Sequence, residues 1–139
     1  VPRPDREAHG DEGDALAVEA VDRDKLDGWF LQKHHDALYH MAPHAFRYYL
    51  PAFLILAVEA SDITPLFVSP VIQMLDPGPD ESFWSDGFKG KWLSLTVDEL
   101  DAVKAWLVHL ASTNSGDWDD VALARSFDTV DRLMGGSAA

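Results

Sequence analysis

Apolar positions along the chain recur at helical spacing, and no segment alternates as a half-buried strand would. From about Asp22 onward, Leu26, Trp29, Phe30, Ala37, Leu38 and Met41 fall mostly on one face, which predicts an amphipathic helix. Lys33 lies on that stripe and can reach water along its aliphatic stem. Ala42-Pro43 then interrupts the pattern, and Pro43 suits the first turn of a new helix, where an N–H has no intrahelical partner. Phe46, Tyr49, Leu50, Phe53, Leu54 and Ala57 occupy one side of that helix, and Tyr48, Ala52, Ile55 and Val58 the other. A helix apolar all round is expected to be surrounded by others, so this segment is the predicted centre of the fold. Pro51 within it removes a backbone hydrogen bond at a cost of about 3 kcal/mol, which predicts a kink or break between Tyr48 and Leu50.

Ser61-Asp62-Ile63-Thr64-Pro65 has the composition of a helix start, with Thr64 as cap and Pro65 behind it. Val68, Val71, Ile72 and Leu75 form the stripe that follows. Pro70 predicts a kink there, or two short helices with Ser69 capping the second. Asp76-Pro77-Gly78-Pro79-Asp80 is a stop. Residues 80–95 read as an irregular loop rich in aromatics, with Phe83, Trp84, Phe88 and Trp92 laid against the body. Thr96-Val97-Asp98-Glu99 is a capping box. Leu100, Val103, Trp106, Leu107 and Leu110 continue it as an amphipathic helix ending at Ser112-Thr113-Asn114-Ser115-Gly116. A last helix from about Trp118 to Met134 is expected to turn Leu123, Phe127, Val130, Leu133 and Met134 inward, with Gly135-Gly136 as its stop. The predicted fold class is all-α, a compact bundle of about five helices with a kinked central helix and a long aromatic loop. Residues 1–20 are expected to be a mobile lead-in with little to bury, and residues 21–136 a single helical domain.

Charge narrows the range of functions. The chain has 139 residues, 11 Lys+Arg against 24 Asp+Glu, and a net charge of −13. Nucleic acid and anionic membranes, which call for basic patches, are therefore not expected partners. The acids are spread along the chain: residues 1–25, 26–95 and 96–139 carry eight each. The absence of cysteine removes disulfides, thiolate metal sites and a cysteine nucleophile. The longest apolar run, Tyr48 to Val58, is shorter than the roughly 20 residues a membrane span needs. No basic-then-apolar signal pattern occupies residues 1–20, and a cytoplasmic location is expected.

The segment Ala45-Phe46-Arg47-Tyr48-Tyr49-Leu50-Pro51-Ala52 resembles the core motif of a family of small bacterial proteins of unknown function. Leu95-Thr96-Val97-Asp98-Glu99 fits a second block of that family, and Trp106-Leu107 fits the helix behind it. The likeness covers roughly residues 26–112. Ala42 stands where the family has a capping hydroxyl and His44 where it has Glu, so a different cap is expected at that helix start. The resemblance implies a bacterial, soluble, helical protein and supplies no activity.

Candidate chemistry is sparse. His34, His35, His40 and His44 cluster around Asp36. The His-Glu-x-x-His pattern of metalloproteases is absent, and His34 and His35 point about 100° apart on a helix. No metal site and no cofactor is expected, and the histidines read as solvated or hydrogen-bonded imidazoles. A metal-dependent enzyme using His34, Asp36, His40 and His44 is the alternative. The motif residues Phe46, Arg47, Tyr48, Tyr49 and Pro51 read as structural, with the Tyr hydroxyls needing acceptors. Asp117-Trp118-Asp119-Asp120 reads as a helix start with Asp117 as cap. An aromatic flanked by carboxylates is also the composition of a protein-binding anchor with a charged rim, and Trp84 and Asp86 have similar chemistry. Serine hydrolase and phosphate-loop patterns are missing, so no catalytic residue is assigned. The expected function is a small acidic immunity protein that blocks a bacterial toxin, with a basic toxin domain as partner. A cytoplasmic scaffold that self-associates through residues 80–95 is the competing expectation.

Overall fold

The computed structural model describes residues 10–60, 65–113 and 116–135. Among them every regular element is helical. Seven α-helices run as α1 (Gly10–Glu19), α2 (Gly28–Lys33), α3 (Pro43–Glu59), α4 (Val68–Met74), α5 (Asp86–Trp92), α6 (Val97–Thr113) and α7 (Asp120–Leu133). Single 3-10 turns lie at Arg23–Lys25, Ala37–His40 and Glu81–Phe83. The all-α class is as expected, but the count exceeds about five because two segments read as non-helical contain helices, Gly10–Glu19 and Asp86–Trp92. The chain divides into two compact units, Val1–Pro70 and Val71–Ala139.

In the first unit, α1 lies where little burial was expected, yet Ala15 and Val18 are fully buried, three residues apart on one face. α1 packs on the Ala37–His40 turn. The single helix predicted from Asp22 to Met41 is in fact broken. Leu26 is extended, and the Asp27 side chain accepts from Phe30 N at 2.8 Å, capping a fresh start at α2. Of the predicted stripe, Leu26, Ala37, Leu38 and Met41 are still buried, whereas Trp29 is 67% exposed and Leu31, outside the stripe, is fully buried.

α3 runs unbroken through Pro51, and the predicted break does not occur. Burial of Phe46, Leu50 and Phe53, each on the order of 1.5–3 kcal/mol, exceeds the cost of one interior proline. Ala42 caps α3 with no side-chain bond, and Pro43 at the first position has no N–H to satisfy. Phe53 meets Phe67 edge-on at 6.0 Å. The expectation that neighbours cover α3 all round fails: Tyr48, Ile55 and Val58 are all about half exposed. The cap predicted at Thr64 lies outside the described residues. α4 begins at Val68 with Pro70 in its first turn, where proline displaces no intrahelical hydrogen bond.

In the second unit, the stop after α4 turns through Gly78, whose φ of +104° lies in the region glycine tolerates. The predicted aromatic loop is instead mostly helical. Ser85 caps α5 by accepting from Phe88 N at 3.1 Å. Trp92 is fully buried, while Phe83 is 82% exposed. The capping box forms as expected: Thr96 N donates to Glu99 Oε1 at 2.7 Å, and Glu99 N donates to Thr96 Oγ1 at 3.1 Å. α6 buries Leu100, Val103, Trp106, Leu107 and Leu110 and packs against α7. At its end, Ser112 and Thr113 donate to the His109 carbonyl at 3.0 and 2.8 Å. Asn114 and Ser115 lie outside the described residues.

α7 buries Leu123 and Val130 but also the polar Ser126 and Thr129. Ser126 Oγ donates to the Ile72 carbonyl at 3.1 Å and Thr129 Oγ1 to the Arg125 carbonyl at 3.0 Å, so neither hydroxyl is left unsatisfied. Phe127, predicted to face inward, is partly exposed with the Lys104 ammonium 4.9 Å from its ring centre. Leu133 and Met134 are half-buried.

Candidate functional site

The residues singled out as a contact surface separate into two helix starts of the second unit. Trp84 is buried, its indole N–H donates to the Gly78 carbonyl at 2.8 Å, and its ring meets Phe88 edge-on at 5.2 Å. It holds the turn after α4, and its ring is not exposed. Asp86 is exposed in the first turn of α5.

At the start of α7, Asp117, Asp119 and Asp120 are exposed and Trp118 is half-buried. The cap is Asp119 rather than Asp117: its carboxylate accepts from Val121 N at 3.0 Å. Asp117 is therefore spared for other contacts. Val121 is 59% exposed and continues this surface.

A cleft of about 310 Å³ opens beside Val121, between α7 and the turn after α4. Its walls include Gly78, Pro79, Ala124 and Thr129, with Asp76 and Arg125 at the rim. Arg125 Nε donates to both Asp76 carboxylate oxygens at 3.0 Å. That bond and the Asp76 charge push the Arg125 pKa up further, so the guanidinium stays charged. Arg132 Nε donates to Asp128 at 3.0 Å, and its Nη1 reaches the Pro79 carbonyl at 3.1 Å and Glu81 at 3.4 Å. Two arginines on α7 thus clamp the turn carrying the cleft wall. The Asp128–Arg132 spacing of four was legible on a helix; the Asp76–Arg125 pair, 49 residues apart, had no local signal. Paired in this way, the carboxylates and guanidiniums suit recognition by shape and charge rather than proton transfer.

The histidines of the first unit have separate partners. His34 Nδ1 lies 2.9 Å from Asp14 Oδ1, and its ring is 4.7 Å from that of Phe30. His35 Nδ1 is 3.3 Å from Asp36. His40 lies against Tyr39, and His44 is exposed. Among the described residues no three His, Asp or Glu side chains are placed to hold a metal ion.

The motif helix has a mainly structural geometry. Tyr49 is buried, and its hydroxyl donates to the Val21 carbonyl at 2.9 Å and the Glu19 carbonyl at 3.3 Å. Burial, with the neighbouring Tyr48, Glu19 and Asp22, pushes its pKa up and keeps it a donor. Tyr48 meets the Tyr49 ring edge-on at 4.9 Å and is half exposed. Arg47 is exposed. A second cleft of about 440 Å³ lies along α3, lined by Pro51, Ala52, Ile55 and Leu56 and by Leu26, Arg23, Asp24 and Glu59.

Among the described residues, no helix is long and apolar enough to cross a membrane. A family model described as Family of unknown function (DUF6714) matches residues 10–128, a span that includes the Phe46–Ala52 segment. No curated protein and no solved structure matches the chain.

Proposed function

This chain belongs to the family of unknown function DUF6714, a membership that brings no activity with it, and from its surface we infer a small acidic binding protein without catalysis. Its role is that of an immunity protein, which inhibits a bacterial toxin by direct contact with a basic domain. The observation that carries this reading is the start of α7. Three exposed carboxylates, Asp117, Asp119 and Asp120, stand beside half-buried Trp118 and exposed Val121, with no base between Asp117 and Val121. An apolar centre with a charged rim is the make-up of an anchor site. The net charge of −13 would speed encounter with a basic partner.

The test is co-expression with the products of neighbouring genes, followed by pull-down and a toxicity assay. Binding and protection are expected with one of them. Changing Asp117 and Asp120 to Lys, which leaves the Asp119 cap in place, is expected to weaken that complex at least ~10-fold. Absence of any partner, together with indifference of deleted cells to a co-encoded toxin, sinks the reading.

A second reading, a cytoplasmic scaffold domain, draws on the 82% exposure of Phe83. Self-association through residues 80–95 is its mark. Phe83→Ser is expected to abolish that association, and an unchanged oligomeric state counts against it.

A further inference from the structure

The exposed side of α3 is self-complementary. Tyr48, Pro51, Ile55 and Val58 are all exposed, and their spacing of three, four and three residues sets them in one stripe along the helix. Reversing the helix about the level of Phe53 exchanges Tyr48 with Val58 and Pro51 with Ile55. The stripe therefore maps onto itself under a two-fold axis perpendicular to α3, the symmetry of an isologous dimer.

The groove of about 440 Å³ beside the stripe has matching polarity at its ends. Arg23 marks the end at Tyr48: its guanidinium lies 4.6 Å from the centre of the Tyr48 ring and donates to the Tyr48 carbonyl at 3.1 Å. Glu59 marks the other end, about three turns along the helix. The same reversal sets the Arg23 end of one groove against the Glu59 end of the other. A parallel arrangement would set like charges level with each other and align the helix dipoles unfavourably.

We propose that α3 pairs antiparallel with α3 of a second copy of this chain. Ile55 of each copy seats against Pro51 of the other, and Arg23 faces Glu59 at both ends. This proposal uses none of the residues at the start of α7 and does not depend on the function proposed there. Two terms oppose the pairing. One helix per copy makes a small interface, so the dissociation constant is expected on the order of tens of micromolar. Each copy also carries −13, with Asp24 adding to the repulsion near the groove. Salt screens charges beyond about 8 Å at physiological strength, whereas the stripe itself is apolar. The dimer therefore tightens as salt rises, opposite to a complex between an acidic and a basic protein.

Sedimentation equilibrium of the full chain, from low micromolar to several hundred micromolar, reads this directly. A monomer–dimer equilibrium strengthened by salt is expected. Ile55→Asp, which leaves a charge in the stripe, is expected to weaken it at least ~10-fold with helicity unchanged by circular dichroism. Arg23→Glu and Glu59→Arg are each expected to weaken it, and mixing the two variants to restore it, because each then meets its opposite. Since Arg23→Glu also removes the contact with Tyr48, restoration on mixing is the decisive readout. A monomer at every concentration, an unaffected Ile55→Asp variant, or no restoration on mixing overturns the proposal.

Discussion

Single side chains fix where this chain starts and stops its helices, and those positions carry the sharpest energetic expectations. The reciprocal bonds of Thr96 and Glu99 satisfy two donors that a helix start leaves open. Thr96→Ala is expected to lower stability by about 1 kcal/mol, read by urea denaturation. Tyr49→Phe removes a part-buried hydroxyl bonded to the Val21 and Glu19 carbonyls. A loss of about 1 kcal/mol is expected, with faster amide exchange in α1 as the local signature. Asp80 has a pH signature. Its bonds from the Ser82 hydroxyl and amide hold its pKa below the usual carboxylate value. A depressed carboxylate contributes stability above its unfolded pKa and loses it as pH falls through the folded value. Stability is therefore expected to fall on acidification from about pH 4 downward, less steeply in Asp80→Asn. An identical acid limb in that variant would remove Asp80 from the account.

Elements are where local pattern and tertiary context part company. The apolar stripe from Leu26 to Met41 was legible in part: its members Leu26, Ala37, Leu38 and Met41 are buried, whereas Trp29 is exposed and Leu31, which lies off the stripe, is buried. Its continuity was not, because the Asp27 carboxylate competes for the backbone and restarts the helix. α3 shows the converse: an interior proline signalled a break, but packing of Phe46, Leu50 and Phe53 keeps one helix. Pro51 is exposed, so Pro51→Ala adds no clash and restores a backbone donor. It is expected to stabilise the protein by ~1–3 kcal/mol, seen as a higher melting temperature. A lower one would mean that the proline holds a conformation the rest of the first unit needs.

At the scale of the whole molecule, charge is the dominant property. A net −13 on 139 residues sets the surface against itself. Moderate sodium chloride is expected to raise the melting temperature, and a flat response would mean that local ion pairs such as Arg125–Asp76 and Arg132–Asp128 already balance the field. Two things were determined by sequence alone. The all-helical class follows from periodicity, and the helix cap at Thr96 follows from side chains acting over three residues. Such forces are local, so the linear order of residues contains them. The tertiary structure alone decided which apolar faces are covered. Nothing local distinguishes buried Phe53 from exposed Ile55, or buried Trp84 from exposed Phe83, since hydrophobic burial is non-directional and depends on what arrives from distant parts of the chain. For the same reason the clamp joining Asp76 to Arg125 and the exposed stripe on α3 had no signature in the sequence and became visible only in the folded chain.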